Sequence, residues 1–322
     1  MTRQPMSVLP ILAFLAAAAV GAPASGVQVL GTIDFAGADV VQARGINNAG
    51  DIVGYRTAGG VTESFLRTSA GDTLFQVDGD PTLALGVNDA GDTVGGVNTS
   101  LPGQDAFLRS VGGTAVRFQP LGDPDANANG INNAGVVVGA GNAFGTGGYL
   151  RATDGTVTAV DYVGLAGDVI LKTNATDVNN AGLIIGHAIG QNGPDFFGRG
   201  WYSADDGASF TTITRPGEQF TYVWAGNDEG LLVGDFSTGF TGTRTGFVYE
   251  IASGAFFPFT VPGADWTVPT GINDAGQIVG FSRDAATSRI TGFVAVIPEP
   301  SAALMAAAGA FATIGARRRR FA

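Results

Sequence analysis

One short stretch decides the fold of this chain: Gly45-Ile46-Asn47-Asn48-Ala49-Gly50-Asp51-Ile52-Val53-Gly54. Two apolar segments flank the polar centre Asn-Asn-Ala-Gly. An Asn that opens a turn accepts a backbone hydrogen bond through its side chain, and a Gly that closes the turn adopts the left-handed conformation. The stretch therefore predicts a β-hairpin, most simply a type I turn followed by a glycine in a bulge.

The hairpin recurs five more times, with its first Asn spaced by 41 to 48 residues. The further copies occupy residues 86–95, 130–139, 177–186, 226–234 and 271–280. The fifth copy is degenerate, because Asn227 lacks the aliphatic residue that precedes Asn elsewhere. Each copy ends in a glycine, which indicates a place where a side chain would obstruct a neighbouring backbone. These glycines are Gly54, Gly95, Gly139, Gly186, Gly234 and Gly280.

A second phrase follows each hairpin and consists of a small residue, an aromatic residue and usually an aliphatic one. We predict that its aromatic residues are core anchors; they are Phe65, Phe107, Tyr149, Trp201, Phe247 and Phe293. A turn and a further strand lead to the next hairpin, so one unit holds about four short strands and no helix. Such units are typical of β-propeller blades.

The predicted fold class is therefore all-β, with six repeat units that form a six-bladed β-propeller. The units begin near residues 32, 73, 114, 156, 208 and 255. A linear β-solenoid is the alternative, although its turns are usually shorter than these units.

Both ends of the chain carry targeting patterns. Residues 1–24 are a predicted signal peptide, because Arg3 precedes an apolar run and Ala22-Pro23-Ala24 suits signal peptidase. The repeat domain is assigned to residues 25–296. In the last region, 297–322, an uncharged segment predicts a short membrane helix, and the arginines behind it place that end in the cytoplasm.

The C-terminal region closely resembles the PEP-CTERM sorting signal of Gram-negative bacteria. The resemblance lies in Pro298-Glu299-Pro300, the short apolar helix and the cluster Arg317, Arg318, Arg319 and Arg320. It implies processing by signal peptidase and an exosortase, a transient anchor in the inner membrane, and a final place in the cell envelope or outside the cell. Proteins with this signal typically occur in bacteria that make exopolysaccharide. The hairpin unit resembles the bacterial extracellular HAF repeat, which often occurs together with PEP-CTERM tails.

The charge of the chain restricts its partners. Its 28 acidic and 17 basic residues give a net charge of −11, and only 12 basic residues remain without Arg3 and the C-terminal arginines. Lys172 is the only lysine. An acidic surface repels phosphate backbones, so we expect no nucleic-acid partner. The chain has no cysteine, which excludes thiol chemistry and Cys-ligated zinc.

These patterns predict a secreted envelope or extracellular-matrix protein with a non-catalytic binding or structural role, associated with exopolysaccharide or surface proteins. No catalytic residue is assigned, and His187, the only histidine, is interpreted as a strand-edge residue. The alternative is a secreted carbohydrate-active enzyme, a glycoside hydrolase or lyase on a propeller scaffold. Hydrolysis would need two carboxylates, and candidates outside the repeat skeleton are Asp161, Asp168, Asp195, Asp205, Asp206, Glu218 and Asp265.

Two further sites are hypotheses of the sequence. Asp125, Asn127 and Asn129 match the phrase D-x-N-x-N-G of many Ca²⁺ loops, but the Glu of the EF-hand form is replaced by Val136, and an ordinary Asx-rich turn is the alternative. No other metal or cofactor is expected. The fourth unit is the longest, and its Phe196, Phe197 and Trp201 form a hypothetical carbohydrate- or protein-binding face; an insertion without a role is the alternative.

Overall fold

The computed structural model describes residues 26–98, 103–142, 145 and 147–298. These residues form 24 strands and one short 3₁₀ turn, Pro120–Gly122. In chain order the strands are β1 (Gln28–Ile33), β2 (Val40–Ile46), β3 (Ile52–Ala58), β4 (Val61–Thr68), β5 (Gly71–Phe75), β6 (Thr82–Val87), β7 (Thr93–Asn98), β8 (Gln104–Arg109), β9 (Ala115–Phe118), β10 (Ala126–Ile131), β11 (Val137–Gly141), β12 (Gly148–Arg151), β13 (Val157–Val160), β14 (Val169–Val178), β15 (Ile184–Asn192), β16 (Asp195–Ser203), β17 (Thr211–Ile213), β18 (Phe220–Gly226), β19 (Leu231–Ser237), β20 (Thr245–Glu250), β21 (Ala255–Phe259), β22 (Ala264–Ile272), β23 (Gln277–Asp284) and β24 (Ile290–Val296).

The predicted signal peptide, membrane helix and arginine cluster lie outside the described residues, as do Glu299 and Pro300. Within the described part of the chain, no helix combines the length and the apolar character of a membrane span.

The strands form six antiparallel groups of four, which we call blades 1 to 6. Blades 1 to 5 are β2–β5, β6–β9, β10–β13, β14–β17 and β18–β21. Blade 6 combines β22, β23 and β24 with β1, which pairs with β24 from Gln28↔Val296 to Ile33↔Gly292. The first and last strands of the repeat domain therefore share one sheet.

The phase of the blades differs from that of the sequence units. The unit predicted to begin near residue 73 starts with β5, yet β5 pairs with β4 of the preceding hairpin through a tight turn, Thr68↔Gly71. The outermost strand of each blade is thus the first strand of the next sequence unit. A repeat shows its period in the sequence, but strand pairing decides where a blade begins.

The hairpins that identified the repeat connect the two inner strands of each blade, and their predicted chemistry is confirmed. In each turn the first Asn side chain accepts a backbone N–H four residues on, as between Asn47 Oδ1 and Asp51 N at 2.8 Å. The turn-closing glycines Gly50, Gly91, Gly135, Gly182, Gly230 and Gly276 have φ between 70° and 85°. The six aromatic anchors are at most 1% exposed, so their assignment to the core is also confirmed.

Six apolar clusters hold neighbouring blades together. Each cluster takes its side chains from two adjacent blades; Val53 of blade 1, for example, packs with Ala84, Val97 and Phe107 of blade 2. The pairing of neighbours continues through blades 6 and 1, where Val279 packs among residues of β1 to β4. All residues of the six clusters lie between Val27 and Ile297. The stretch 26–298, which we call the ring domain, therefore buries its own core.

Candidate functional site

A ring of buried asparagines joins the blades at the end where the hairpin turns lie, which we call the turn end. In each blade the Nδ2 group of the first turn Asn donates to the backbone carbonyl of its counterpart in the next blade, at 2.9 to 3.4 Å. The six residues are Asn47, Asn88, Asn132, Asn179, Asn227 and Asn273. The last bond, from Asn273 to Asn47 O at 3.0 Å, joins blade 6 to blade 1. A linear β-solenoid has no such bond between its ends, so the arrangement favours the propeller.

The next residue of each turn forms a second ring, whose members are more exposed to solvent than those of the first. Each of its backbone N–H groups donates to the side-chain oxygen of the counterpart in the neighbouring blade, at 2.8 to 2.9 Å. Its members are Asn48, Asp89, Asn133, Asn180, Asp228 and Asp274. The Asn or Asp at this position of the repeat therefore makes a structural bond to the neighbouring blade.

The inner strands surround an axial cavity of about 410 Å³. Each inner strand has a register shift near the turn end, and the residue displaced at each shift lines the cavity: Arg44, Leu85, Asn129, Thr176, Trp224 and Thr270. A β-bulge re-aims the side chain at its centre. Six equivalent bulges therefore converge on the axis with six different side chains.

One side of the cavity carries a network of amides. Asn142 Nδ2 donates to Gln104 Oε1 and to Asp125 Oδ1, both at 2.8 Å, and its Oδ1 accepts from Asn127 Nδ2 at 2.8 Å. The Lys172 ammonium donates to the carbonyl of Asn142 at 2.9 Å. The Oδ1 atom of Asn127 is buried and has no hydrogen-bond partner in the described part of the chain. Most buried polar atoms in folded proteins have a hydrogen-bond partner, so this oxygen is an exception within the network.

The opposite side of the cavity is aromatic. His187 is buried and contacts the rings of Tyr222 and Trp224, with centroids 4.7 Å apart in both cases. Its Nδ1 lies 3.3 Å from Val223 O and its Nε2 lies 3.2 Å from Asn174 Nδ2. Burial lowers the pKa of His187 to about 3, so the ring is neutral at pH 7. His187 is therefore part of the cavity wall, in the middle of β15, and its interpretation as a strand-edge residue was wrong.

Arg44 crosses from blade 1 to this aromatic side. Its guanidinium lies over the Trp224 ring, 5.3 Å from the centroid, and it has no hydrogen-bond or ion-pair partner among the described residues. Burial lowers the pKa of Arg44 from its ordinary value. Arg44 and Lys172 are the cationic side chains of the wall, and Asp177 is the one carboxylate among the described residues that line it.

Asp177 occupies a position that is glycine in four blades and alanine in one. The counterparts Gly45, Gly86, Gly130, Ala225 and Gly271 follow the same register shift. Its carboxylate accepts the backbone N–H groups of Val178 and Gly226, at 2.9 and 3.2 Å. Burial dominates, however, and raises its pKa from 3.8 to about 6.

We expect Asp177 to make the stability of the ring domain depend on pH. Because its pKa is higher in the folded state, the unfolded carboxyl loses its proton first, and the free energy of unfolding falls as the pH rises from about 4 to above 6. The difference amounts to about 3 kcal/mol. Denaturant unfolding of wild type and Asp177→Ala at pH 4 and pH 7.5 measures it, and the variant should lose less stability between the two. Equal losses in both proteins would contradict the expectation.

The structure separates the three residues of the predicted calcium loop. Asp125 lies just before β10, and Asn127 and Asn129 lie within it, so they alternate along an extended strand and do not form a curled loop. Alternate residues of a strand are about 7 Å apart, whereas Ca²⁺ ligands surround one point. Asp125 and Asn129 also bond to Asn142 and to the carbonyl of Ala175. In the described part of the chain, no group of three or more His, Asp or Glu side chains could hold a metal ion.

The predicted aromatic ligand face is divided between surface and core. Trp201 is fully buried and stacks with Tyr162 at 6.3 Å, and Phe197 is only 7% exposed. Phe196 is 37% exposed and contacts the exposed ring of Phe240 at 5.7 Å. The three rings therefore do not form one face, because successive residues of β16 point to opposite sides of the sheet.

The carboxylates considered for hydrolysis do not converge either. Asp168 and Asp265 form ion pairs with Arg199 and Arg283. Asp205 accepts hydrogen bonds from Ser203 and Ser209 in the turn after β16. None of the seven candidates lines the cavity in the described structure.

Comparisons with known proteins bear on the fold. No protein-family model matches the sequence, and no curated protein matches it. Among solved structures, a putative TolB from Agrobacterium tumefaciens is similar with a TM-score of 0.53 and 11% identity, over 80% of this chain and 91% of that chain. TolB from Acinetobacter baumannii is similar with a TM-score of 0.49 and 11% identity, over 77% and 64% of the two chains. A virginiamycin B lyase from Staphylococcus aureus has a TM-score of 0.45 and 12% identity, over 78% and 79%.

At these identities the likeness shows the fold alone, and it supports a β-propeller-like architecture for this all-β chain.

Sequence reasoning missed the main residues of the cavity wall. Arg44, Tyr55, Asn142 and Trp224 were not singled out, and Lys172 was noted only as the single lysine, although all five line the cavity. One signal was available: the residue after the glycine of each outgoing strand varies in kind, as in Tyr55, Gly96, Ala140, His187, Asp235 and Phe281. A position that varies between units while its neighbours stay the same is not required for the repeat fold, and its side chains are therefore available for a binding surface.

Proposed function

We propose that this protein is an exported, non-catalytic binding module of the cell envelope or extracellular matrix, and that its axial cavity binds a carbohydrate unit, such as one from an exopolysaccharide. One observation carries the proposal. The cavity brings the amides Gln104, Asn127 and Asn142 together with the aromatic residues Tyr55 and Trp224 in a volume of about 410 Å³. This volume is within the range of about 300–1,000 Å³ of small-molecule sites.

The chemistry of the wall suits a sugar. Amide groups provide donors and acceptors together, as hydroxyl-rich ligands require. Aromatic faces accept the apolar faces of sugar rings, since both are flat and weakly hydrated.

The carboxylate arrangement favours binding over hydrolysis. Glycosidases use a pair of carboxyl groups about 5 to 10 Å apart, whereas the described wall offers Asp177 alone. That carboxylate is already bonded to two backbone N–H groups at the turn end. The proposal of a carbohydrate-active enzyme on this scaffold therefore has less support.

Export is supported by the sequence of the two ends, namely the predicted signal peptide and the tail that resembles PEP-CTERM. The predicted partners during export are signal peptidase and an exosortase that acts near Pro298. Fractionation of the producing cells tests this part, and full-length protein confined to the cytoplasm would contradict it.

Filling the cavity is expected to abolish carbohydrate binding. Ala140→Phe introduces an aromatic ring into the wall at the position that Phe281 occupies in blade 6, so the repeat already accommodates such a residue. The matched control, Val116→Phe, places the same ring on outer strand β9, where Val116 is 56% exposed. Binding of the ring domain to a glycan array and to the exopolysaccharide of the producing bacterium should be lost in Ala140→Phe alone. Undiminished binding by Ala140→Phe would place the site elsewhere.

A further inference from the structure

We infer that the sugar bound in the axial cavity carries a carboxylate, and that Arg44 and Lys172 select it. The inference rests on the proposed function, because it assigns a ligand class to the same cavity. It concerns an acidic sugar of the uronic-acid type.

The distribution of charge is the first observation. The chain has a net charge of −11, yet its only lysine and one arginine line the cavity. Seven other arginines have carboxylate partners: Arg56, Arg67, Arg117, Arg199, Arg244, Arg283 and Arg289. Arg44 has no such partner in the described structure. Neither do Arg109, Arg151 and Arg215, but these three lie over phenylalanine rings and do not line the cavity. An acidic chain that leaves a cavity cation unpaired keeps it available for an anion from outside.

The second observation is that the position of the charged Arg44 side chain is energetically unfavourable. Burial disfavours its charged form, as its lowered pKa shows. An unpaired cation that is partly removed from water opposes folding, and local features that oppose folding are expected at functional sites.

The geometry of the two cations suits a carboxylate. Trp224 covers one face of the Arg44 guanidinium, so the planar N–H edge remains for the ligand. This edge matches the two oxygens of a carboxylate in a bidentate pair. Lys172 has three N–H donors and uses one on the carbonyl of Asn142, so two remain. Arg44 lies on β2 of blade 1 and Lys172 on β14 of blade 4, and both line the cavity.

The rest of the wall matches the rest of such a ligand. Asn174 lies between Lys172 and Thr176 on β14, and all three line the cavity because alternate residues of a strand share a side. Together with Gln104 and Asn127 they provide neutral polar groups for hydroxyls. The single lining carboxylate, Asp177, lies at the turn end beside Gly226, and its raised pKa reduces its negative charge near pH 6.

Calorimetric titration of the ring domain tests the inference with two matched probes. These are a disaccharide that contains glucuronic acid and its neutral counterpart with glucose in the same place. We expect the acidic disaccharide to bind at least about tenfold more tightly, because hydrogen bonds to charged groups are the stronger ones. Raising the NaCl concentration should weaken binding of the acidic probe alone.

Variants identify the selecting groups. Arg44→Gln should reduce affinity for the acidic probe by about 10- to 100-fold, with little effect on the neutral probe, and Lys172→Met should act in the same direction. Arg109→Gln is the control: it removes one positive charge from β8, where Arg109 lies over Phe75 outside the cavity. Thermal unfolding gives a second readout, since a purely structural Arg44 would lower the Tm when replaced, whereas a ligand-binding Arg44 leaves it unchanged or raises it.

Equal binding of both probes, unchanged in Arg44→Gln, would overturn the inference and leave the proposed carbohydrate site intact. Binding of neither probe, together with no binding to the glycan array, would overturn both. Inorganic sulfate that binds with the same dependence on Arg44, while the acidic disaccharide does not bind, would also overturn the assignment to a uronic acid.

Discussion

Gly95→Ala is expected to prevent the ring domain from folding. A Cβ atom at Gly95 would lie 1.9 Å from the carbonyl oxygen of Leu83 and 2.8 Å from the ring of Phe107. The first contact is with the backbone of the adjacent inner strand, and the second is with a fully buried core anchor, so neither side can yield easily. We expect a loss of more than about 4 kcal/mol, which is comparable with the whole stability of many domains.

Circular dichroism and thermal unfolding of the purified ring domain measure this effect. The matched control is Gly239→Ala, because a Cβ at Gly239 has no neighbour within 4 Å and this glycine does not have a positive φ. A Gly95→Ala protein with a Tm close to that of the control would show that the inner strands separate more readily than the structure indicates. The same clash, at 2.0 to 2.2 Å, recurs at Gly54, Gly139, Gly186, Gly234 and Gly280.

Asn132→Leu is expected to destabilise the ring domain by about 2–4 kcal/mol. The Asn132 side chain accepts from Val136 N at 3.0 Å and donates to Asn179 O in the next blade at 3.2 Å. Leucine has a similar volume but leaves Val136 N without its acceptor and removes one of the two donors to Asn179 O, which keeps the Gly182 N–H. Asn132 is only 6% exposed, so water cannot replace its side chain fully. For a domain of this size the Tm should fall by about 5–10 °C.

Two comparisons make the result specific. Asn98→Ala removes an exposed asparagine at the end of β7 and should leave the Tm nearly unchanged. Asn132→Asp keeps the acceptor for Val136 N but loses the donor to blade 4, so it isolates the bond between blades. If Asn132→Leu were as stable as Asn98→Ala, the asparagine ring would not be what joins the blades.

Much of the fold follows from short-range interactions that can be recognised in the sequence. The turn residues Asn47 and Gly50 and the outgoing Gly54 were assigned roles that the structure confirms. The aromatic anchors follow from the same repeat. These predictions succeed because turn conformation and the space beside a glycine depend on a few neighbouring residues.

The cavity could not be predicted in the same way. Arg44 and Trp224 are 180 positions apart in numbering, and they meet only because blades 1 and 5 face the same axis. The calcium and aromatic-face hypotheses treated Asp125, Asn127, Phe196 and Phe197 as local motifs, whereas strand pairing decided where each side chain points. The bulge in each inner strand makes side-chain direction harder to predict from the sequence, since it shifts the alternation of inward and outward residues by one position.

The sequence by itself determined the six hairpins, the four-stranded unit, the core anchors and the acidic character of the chain. Only the tertiary structure decided that β1 completes blade 6, that the asparagines form a continuous ring, and that Arg44 and Lys172 share one cavity. The physical reason is the range of the interactions. A turn is stabilised by residues within four positions of one another, whereas the axis of the ring is formed by residues as far apart as Asn47 and Asn273, which meet only when all six blades are in place.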